Sequence, residues 1–273
     1  MSKTILICLL TLLLFSSGRA QQVDRTISTL EEISESVKLA PCDSKDRLAA
    51  VKTLFQSAGA KEDELLVKEF KKISNLVVTK KGKGPQTIIV GAHYDKTESG
   101  CGAIDNWTGI SILVHLYRTM SKFDTERTYL FVAFDEEEKG LLGSDAMARA
   151  IPKSEREKYC SMVNIDSFGV AAPQSMTNIS NSKMTKFAKN LAKELNYPFG
   201  EAPINNASSD SVSFTRQNIP SITFHGLDGK WQNYLHNKED KVEKINMQSV
   251  YVGYRFILNF LAKIDAEDCG SFR

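Results

Sequence analysis

Histidines and carboxylates gather in a few short stretches of this chain: His93-Tyr94-Asp95, Asp105-Asn106, Asp135-Glu136-Glu137-Glu138, Asp166, and His225 followed by His236. Imidazole nitrogen and carboxylate oxygen are what zinc takes as ligands. Several carboxylates sharing one crevice raise one another's pKa unless cations neutralise them. A pair of divalent metals removes that conflict, and one Asp can bridge two ions about 3.5–4 Å apart. His93 and Asp95 lie two apart in extended chain, so both side chains can face one way. Asp95 can then accept the proton of the second imidazole nitrogen and fix the tautomer that binds metal. The chemistry suggested is metal-assisted hydrolysis.

Positioning such residues requires a scaffold, and the apolar pattern supplies one. Two polar-rich helices are predicted between Arg25 and Ala60, then short strands over 65–70 and 76–79. Beyond a turn at 80–85, strands at 87–90, 128–134, 162–165 and 219–224 alternate with helices at 109–120, 144–150 and 183–195. An amphipathic helix over 247–264 closes the chain, apolar at Val250, Tyr251, Tyr254, Ile257, Leu258 and Leu261, and is expected to pack on the sheet. This alternation predicts an α/β fold: a three-layer α/β/α sandwich around a mostly parallel sheet. Ligands of such sheets bind beyond the carboxyl ends of the strands, which is where each polar stretch falls.

Taken singly, each residue has an ordinary explanation. A lone histidine is more often structural than a ligand. Asp105 could cap the following helix, Asp166 could close an Asx turn, and Glu136–Glu138 could be a solvated patch. Joint placement after four strands is what favours a site. His115, inside a predicted helix, reads as structural, and His225 is given no ligand role.

Composition narrows the function. The 273 residues are 42% hydrophobic and 25% charged, with 35 basic against 33 acidic side chains. That is ordinary globular composition without the basic footprint of a nucleic-acid binder. Residues 1–20 carry Lys3, an apolar run from Ile5 to Phe15, and the small residues Gly18 and Ala20. They predict a cleaved secretory signal rather than a membrane anchor. Residues 21–273 then form one domain, exported and monomeric, with no membrane or nucleic-acid partner. Cys42, Cys101, Cys160 and Cys269 permit two disulfides in any of three pairings. Asn106, Asn178 and Asn206 lie in glycosylation sequons. HExxH, Gly-x-Ser-x-Gly and P-loop motifs are absent, which removes single-zinc helix, serine-hydrolase and nucleotide chemistry.

Five stretches together, GAHYDKTESGCGAIDNWTG (91–109), FVAFDEEEKGLLGS (131–144), VNIDSFG (163–169), ASSDSVSF (207–214) and NYLHNKED (233–240), resemble the M28 zinc aminopeptidases. The resemblance implies a zinc-exopeptidase fold and two Zn2+ per chain. His93 and Asp166 would hold one ion, Glu138 and His236 the other, and Asp105 would bridge them. It makes Glu137 the general base and acid, leaving Glu136 outside the site, Asp95 the partner of His93, and Asp210 an outer contact. The reaction implied is removal of the first residue from peptides with a free N-terminus. The native metal could equally be cobalt or manganese.

Two departures from the family pattern stand out. Trp107 replaces a small residue and is expected to narrow the crevice wall. Leu235 precedes His236, with Tyr234 one place earlier, so a substrate-contacting tyrosine there is in question. Phe168, Phe214 and Trp231 are further candidates for the pocket wall. The alternatives are a one-zinc glutaminyl cyclase on the same fold, and a catalytically inactive relative used for binding.

Overall fold

In the computed structural model, which describes residues 26–273, helices α1 (Leu30–Lys38) and α2 (Ser44–Ser57) precede a hairpin of β1 (Leu65–Phe70) and β2 (Ile73–Lys80). Then follow β3 (Thr87–His93), α3 (Thr108–Met120), β4 (Thr128–Phe134), α4 (Leu142–Ala150) and β5 (Tyr159–Ile165). The chain ends through β6 (Gln174–Met176), α5 (Ser182–Glu194), β7 (Gly200–Ala202), α6 (Ser211–Thr215), β8 (Ser221–His225) and α7 (Met247–Ala266). The predicted secretory segment lies outside the described residues.

All eight strands form one sheet in the order β1-β2-β4-β3-β5-β8-β6-β7. Its centre, β4-β3-β5-β8, is parallel, and antiparallel pairs at β1/β2, β2/β4 and β6/β8 flank it. Parallel strands are buried on both faces, so their side chains divide between two cores. Ile88 and Val90 of β3 point into a large core with α1, α2, α3, α5 and α7, while Ile89 points into a smaller one with Met147 of α4 and Phe214 of α6. This is the three-layer sandwich expected. The closing helix packs on the sheet as predicted, burying Val250, Tyr254, Ile257 and Leu261. No helix among the described residues is long and apolar enough to cross a membrane.

Among the strands and α-helices, three were not predicted. β6 and β7 are three residues each and α6 is five, too short to display a hydrophobic period. The pairing left open is Cys42–Cys101 and Cys160–Cys269. The first joins the α1–α2 connection to the loop after β3. The second ties the segment after α7 to β5.

His115 is structural, as read. Its ring lies beneath α1, with Nδ1 2.8 Å from Ser28 Oγ and Nε2 3.1 Å from Ser36 Oγ. Burial, assisted by the Arg118 guanidinium, lowers its pKa from 6.5 to about 4. As pH falls, the unfolded chain therefore takes up this proton first. The stability due to the neutral ring is complete above pH 6.5, declines towards pH 4 and is level below it. Between pH 7.5 and 5 this group should remove about 2 kcal/mol, a loss that His115→Gln should escape. Denaturant titrations of both proteins at the two pH values measure the difference; equal slopes with pH would contradict it.

Candidate metal centre

The parallel strands deliver the predicted residues to one sheet edge. β3 ends on His93, and Asp95 follows two residues later with both carboxylate oxygens committed. Oδ1 accepts the Glu137 amide at 3.0 Å and Oδ2 the Glu138 amide at 3.1 Å, which fixes the acidic turn after β4. Asp95 Oδ1 also lies 3.3 Å from His93 Nδ1, at an angle that does not make a hydrogen bond. The expected partnership is therefore present as an ionic contact.

The loop carrying Asp105 begins at Gly102, whose φ of 58° suits glycine, and its Asp105–Asn106 peptide is cis. Asn106 is fully buried and acts as a staple. Its amide donates to Ile165 O at 2.9 Å, while its Oδ1 accepts from the Ser167 amide and the Gly109 amide, each at 3.0 Å. Gly109 is required here, since a Cβ would lie 2.2 Å from Asn106 Oδ1. This joins the Asp105 loop to the end of β5, where Asp166 stands. It also leaves the Asn106 sequon inaccessible in the fold.

Asp105 occupies the centre. Its Oδ1 is 3.2 Å from His93 Nε2 and its Oδ2 is 3.1 Å from His236 Nε2. His93 Nε2 is 3.6 Å from Asp166 Oδ1, and His236 Nε2 is 3.3 Å from Glu138 Oε2. Two sets result, His93 with Glu137 and Asp166, and Asp105 with Glu138 and His236. Within each set the candidate ligand atoms lie within 4.8 Å of one another. Ser167 Oγ at 3.0 Å and Ser209 Oγ both donate to the Asp166 carboxylate and orient it. Glu136 turns away to Lys139, 2.8 Å distant, as expected of a residue outside the site.

The charge balance of this cluster calls for cations. Burial pushes Glu138 up to about 8, with Asp105 adding to the rise, and pushes Glu137 well above the carboxylate range. The hydrogen bond that His236 donates to Asp105 raises its pKa to about 9. His93 is raised despite its burial, because Glu137, Asp105 and Asp166 surround it. Protons thus hold places that divalent ions would fill. Glu138 Oε1 is buried with no hydrogen-bond partner, a donor atom aimed at nothing in the protein. The residues fit a metal centre.

The remaining predicted residues divide. Asp210 is fully buried at the start of α6, both oxygens without a hydrogen bond, and burial raises it to about 7. It does not line the cleft, but its charge acts on Glu137. Trp107 does not line the crevice. It is buried in the larger core, its indole N–H donating to Ser36 O at 3.0 Å. The non-helical backbone of Asp105 and Asn106 breaks the phase of the turn before α3 and swings the ring away from the metal side. Phe168 and Phe214 are also core residues. Tyr234 packs on the cluster of Ile104, Met176, Ile204, Leu227 and Leu235 rather than in the cleft wall, and Trp231 lines the cleft instead. His225 is buried, its Nδ1 accepting the Leu227 amide at 3.2 Å, and joins neither set.

Asp240 escaped sequence reasoning. Its carboxylate accepts the Ile104 amide at 2.6 Å and the Asp105 amide at 3.4 Å. The signal for it was its place at the end of the stretch NYLHNKED, four residues after His236.

The model of peptidase family M28 matches residues 75–261. The chain belongs to this family. A probable leucine aminopeptidase of Arthroderma otae is 26% identical over 240 residues, covering 80% of this chain and 64% of that protein. The chain thus spans less than two thirds of that relative's length. Among solved structures, the LapA aminopeptidase of Legionella pneumophila superposes with a TM-score of 0.76 at 18% identity, covering 88% of this chain and 72% of that one. The glutaminyl cyclase of Porphyromonas gingivalis gives 0.69 at 16%, covering 86% and 98%. These likenesses establish the shared fold.

Since metal must displace protons from these groups, zinc added to metal-free protein near pH 7 should release protons and raise the melting temperature. A pH indicator in weak buffer and a thermal scan measure both. His236→Ala should release fewer protons; an unchanged yield would remove His236 from the ligand set.

Proposed function

We propose that this chain is a secreted, monomeric aminopeptidase working with two zinc ions, residues 1–20 being its export signal and residues 21–273 its one catalytic domain. The observation that carries this reading is the position of Asp105, one carboxylate oxygen toward each of two histidines. His93 and Asp166 would hold one ion, Glu138 and His236 the second, with Asp105 shared. When bound, the ions supply Lewis acidity for the scissile carbonyl and lower the pKa of water.

The chain's own groups do the rest. Glu137 lines the cleft beside His93 and Asp166, placed to take a proton from the attacking water and return it to the leaving amine. Asp95 holds Glu137 and Glu138 in place through their amides. The acidic floor of a cleft of about 220 Å³ attracts a free α-ammonium group and leaves little space on its far side. One wall is apolar, built from Met176, Ile204, Leu227, Trp231 and Leu235, and suits an apolar first side chain. A single chain carries every ligand, so no second copy is needed. The two disulfides agree with export.

The cyclase fold neighbour, matched over 98% of its length, sustains a second reading as a one-zinc cyclotransferase. The two three-residue sets favour the peptidase.

Metal analysis with a panel of aminoacyl-nitroanilides separates the two. We expect about two zinc per chain, activity lost to chelator, and leucyl over alanyl substrate by about 10–100-fold in kcat/KM. One zinc, with cyclisation of a glutaminyl peptide and no amino acid released, would establish the cyclase instead. Glu137→Gln should keep its zinc and lose at least about 100-fold in kcat; retained turnover would exclude Glu137 as the base.

A further inference from the structure

Arg47, in the first turn of α2, is fully buried although it carries a permanent charge. Such burial normally requires an ion pair. Among the described residues, no carboxylate lies within ion-pair distance of it. Its guanidinium is instead spent on four carbonyl oxygens, those of Tyr94, Pro41 at 2.9 Å, Cys101 at 3.0 Å and Gly102 at 3.1 Å. The side chain also stacks over Trp107, 5.0 Å from the ring centre.

The sequence positions of those carbonyls are informative. Tyr94 lies between His93 and Asp95. Cys101 and Gly102 begin the loop that carries Asp105, and Trp107 ends it. The guanidinium therefore joins the two segments that present the candidate bridging ligand and the first histidine with its partner. Asp240 grips the same loop from the other side, through the Ile104 and Asp105 amides, and its own carbonyl accepts the Cys101 amide at 2.8 Å. The loop is thus held by a cation at its carbonyls and an anion at its amides. Asp95, Asp240, Asp105 and Glu138 are the acids that act on Arg47 at longer range.

We propose that Arg47 is a positioning residue of the metal centre: by fastening the Tyr94 and Cys101–Gly102 carbonyls, it sets the separation of His93 and Asp105 and adds positive charge behind the acidic cleft. The residue lies outside the segment matched by the family model, 75–261, so this role belongs to the N-terminal helices. A planar fork bonding several carbonyls is not replaceable by lysine. The proposal rests on the two-zinc reading given above.

The test uses the full chain with both disulfides intact and the variants Arg47→Met and Arg47→Lys. Zinc affinity is read by chelator competition, alongside kcat and KM for a leucyl-nitroanilide and the melting temperature of metal-free protein. Groups that orient metal ligands typically control affinity or activity 10–100-fold. We expect zinc affinity weakened by about that factor, kcat lowered, KM changed by less than about threefold, and partial recovery of kcat in excess zinc. Arg47→Lys, which keeps the charge and loses the fork, carries the measurement should Arg47→Met not fold. Wild-type zinc affinity in a folded variant would reduce Arg47 to a core residue and overturn the proposal. Failure of both variants to fold would do the same, since that is the outcome of a packing role alone. Wild-type protein binding fewer than two zinc ions would instead defeat the two-zinc reading, which separates the two failures.

Discussion

The crowding of carboxylates at one sheet edge is the constraint on which the site depends. Asp95, Asp105, Glu137, Glu138, Asp166, Asp210 and Asp240 are all buried or half-buried around one sheet edge, with His93 buried among them and His236 exposed at the mouth. An ionised carboxylate in such surroundings is costly unless paired. The fold nevertheless keeps the carboxylates there by giving several of them hydrogen-bond donors. Asp95 receives two amides, Asp166 two hydroxyls and Asp240 two amides. Glu138 and Asp210 have no such donors for at least one oxygen. The cluster is consequently preorganised yet short of positive charge, the condition in which a divalent cation binds most strongly.

That arrangement follows from the parallel centre of the sheet. β3, β4, β5 and β8 run the same way, so their carboxyl ends meet at one edge and every following loop enters one crevice. Apolar side chains on both faces hold the strands, leaving loop backbone free to be shaped by polar contacts. Asn106 is the clearest instance. Its one side chain bonds the end of β5, the residue after Asp166 and the first turn of α3, welding two ligand loops together. Residues in strained left-handed backbone, Ser167 and His236, sit at the same edge. Their cost of about 1–3 kcal/mol each is borne by the packed sheet beneath them.

The periodicity of the chain exposed the scaffold because burial on two faces writes long apolar strands and a helical stripe directly into residue type. The five candidate ligands and Glu137 came from the family resemblance, and the fold brings those residues together in two adjacent groups. Legibility ended where a side chain's task depends on a partner distant in sequence. Asn106 looked like a sequon because nothing local reveals that Ile165 and Ser167 consume its amide group. Trp107 looked like a crevice wall because it replaces a small residue of the family pattern beside Asp105. The irregular backbone at Asp105 and Asn106 cannot be inferred from residue type. Asp240 and Arg47 carried no local signal of their tasks, since most charged side chains are exposed.

The N-terminal helices change meaning once Arg47 is placed. Between residues 75 and 261, the segment that defines the family, the cleft acids outnumber the cations available to them. On the two-ion reading the metals supply four positive charges against seven carboxylates, and Arg47 adds one more from outside that segment. Its carbonyl contacts cannot form unless α2 is docked, and the Cys42–Cys101 disulfide fastens the adjoining chain to the loop that Arg47 grips. Covalent tether and buried guanidinium therefore act on the same short piece of chain, Cys101 and Gly102, at the start of the loop that carries Asp105. Helices without diagnostic motif can in this way determine how well a diagnostic motif binds its ions.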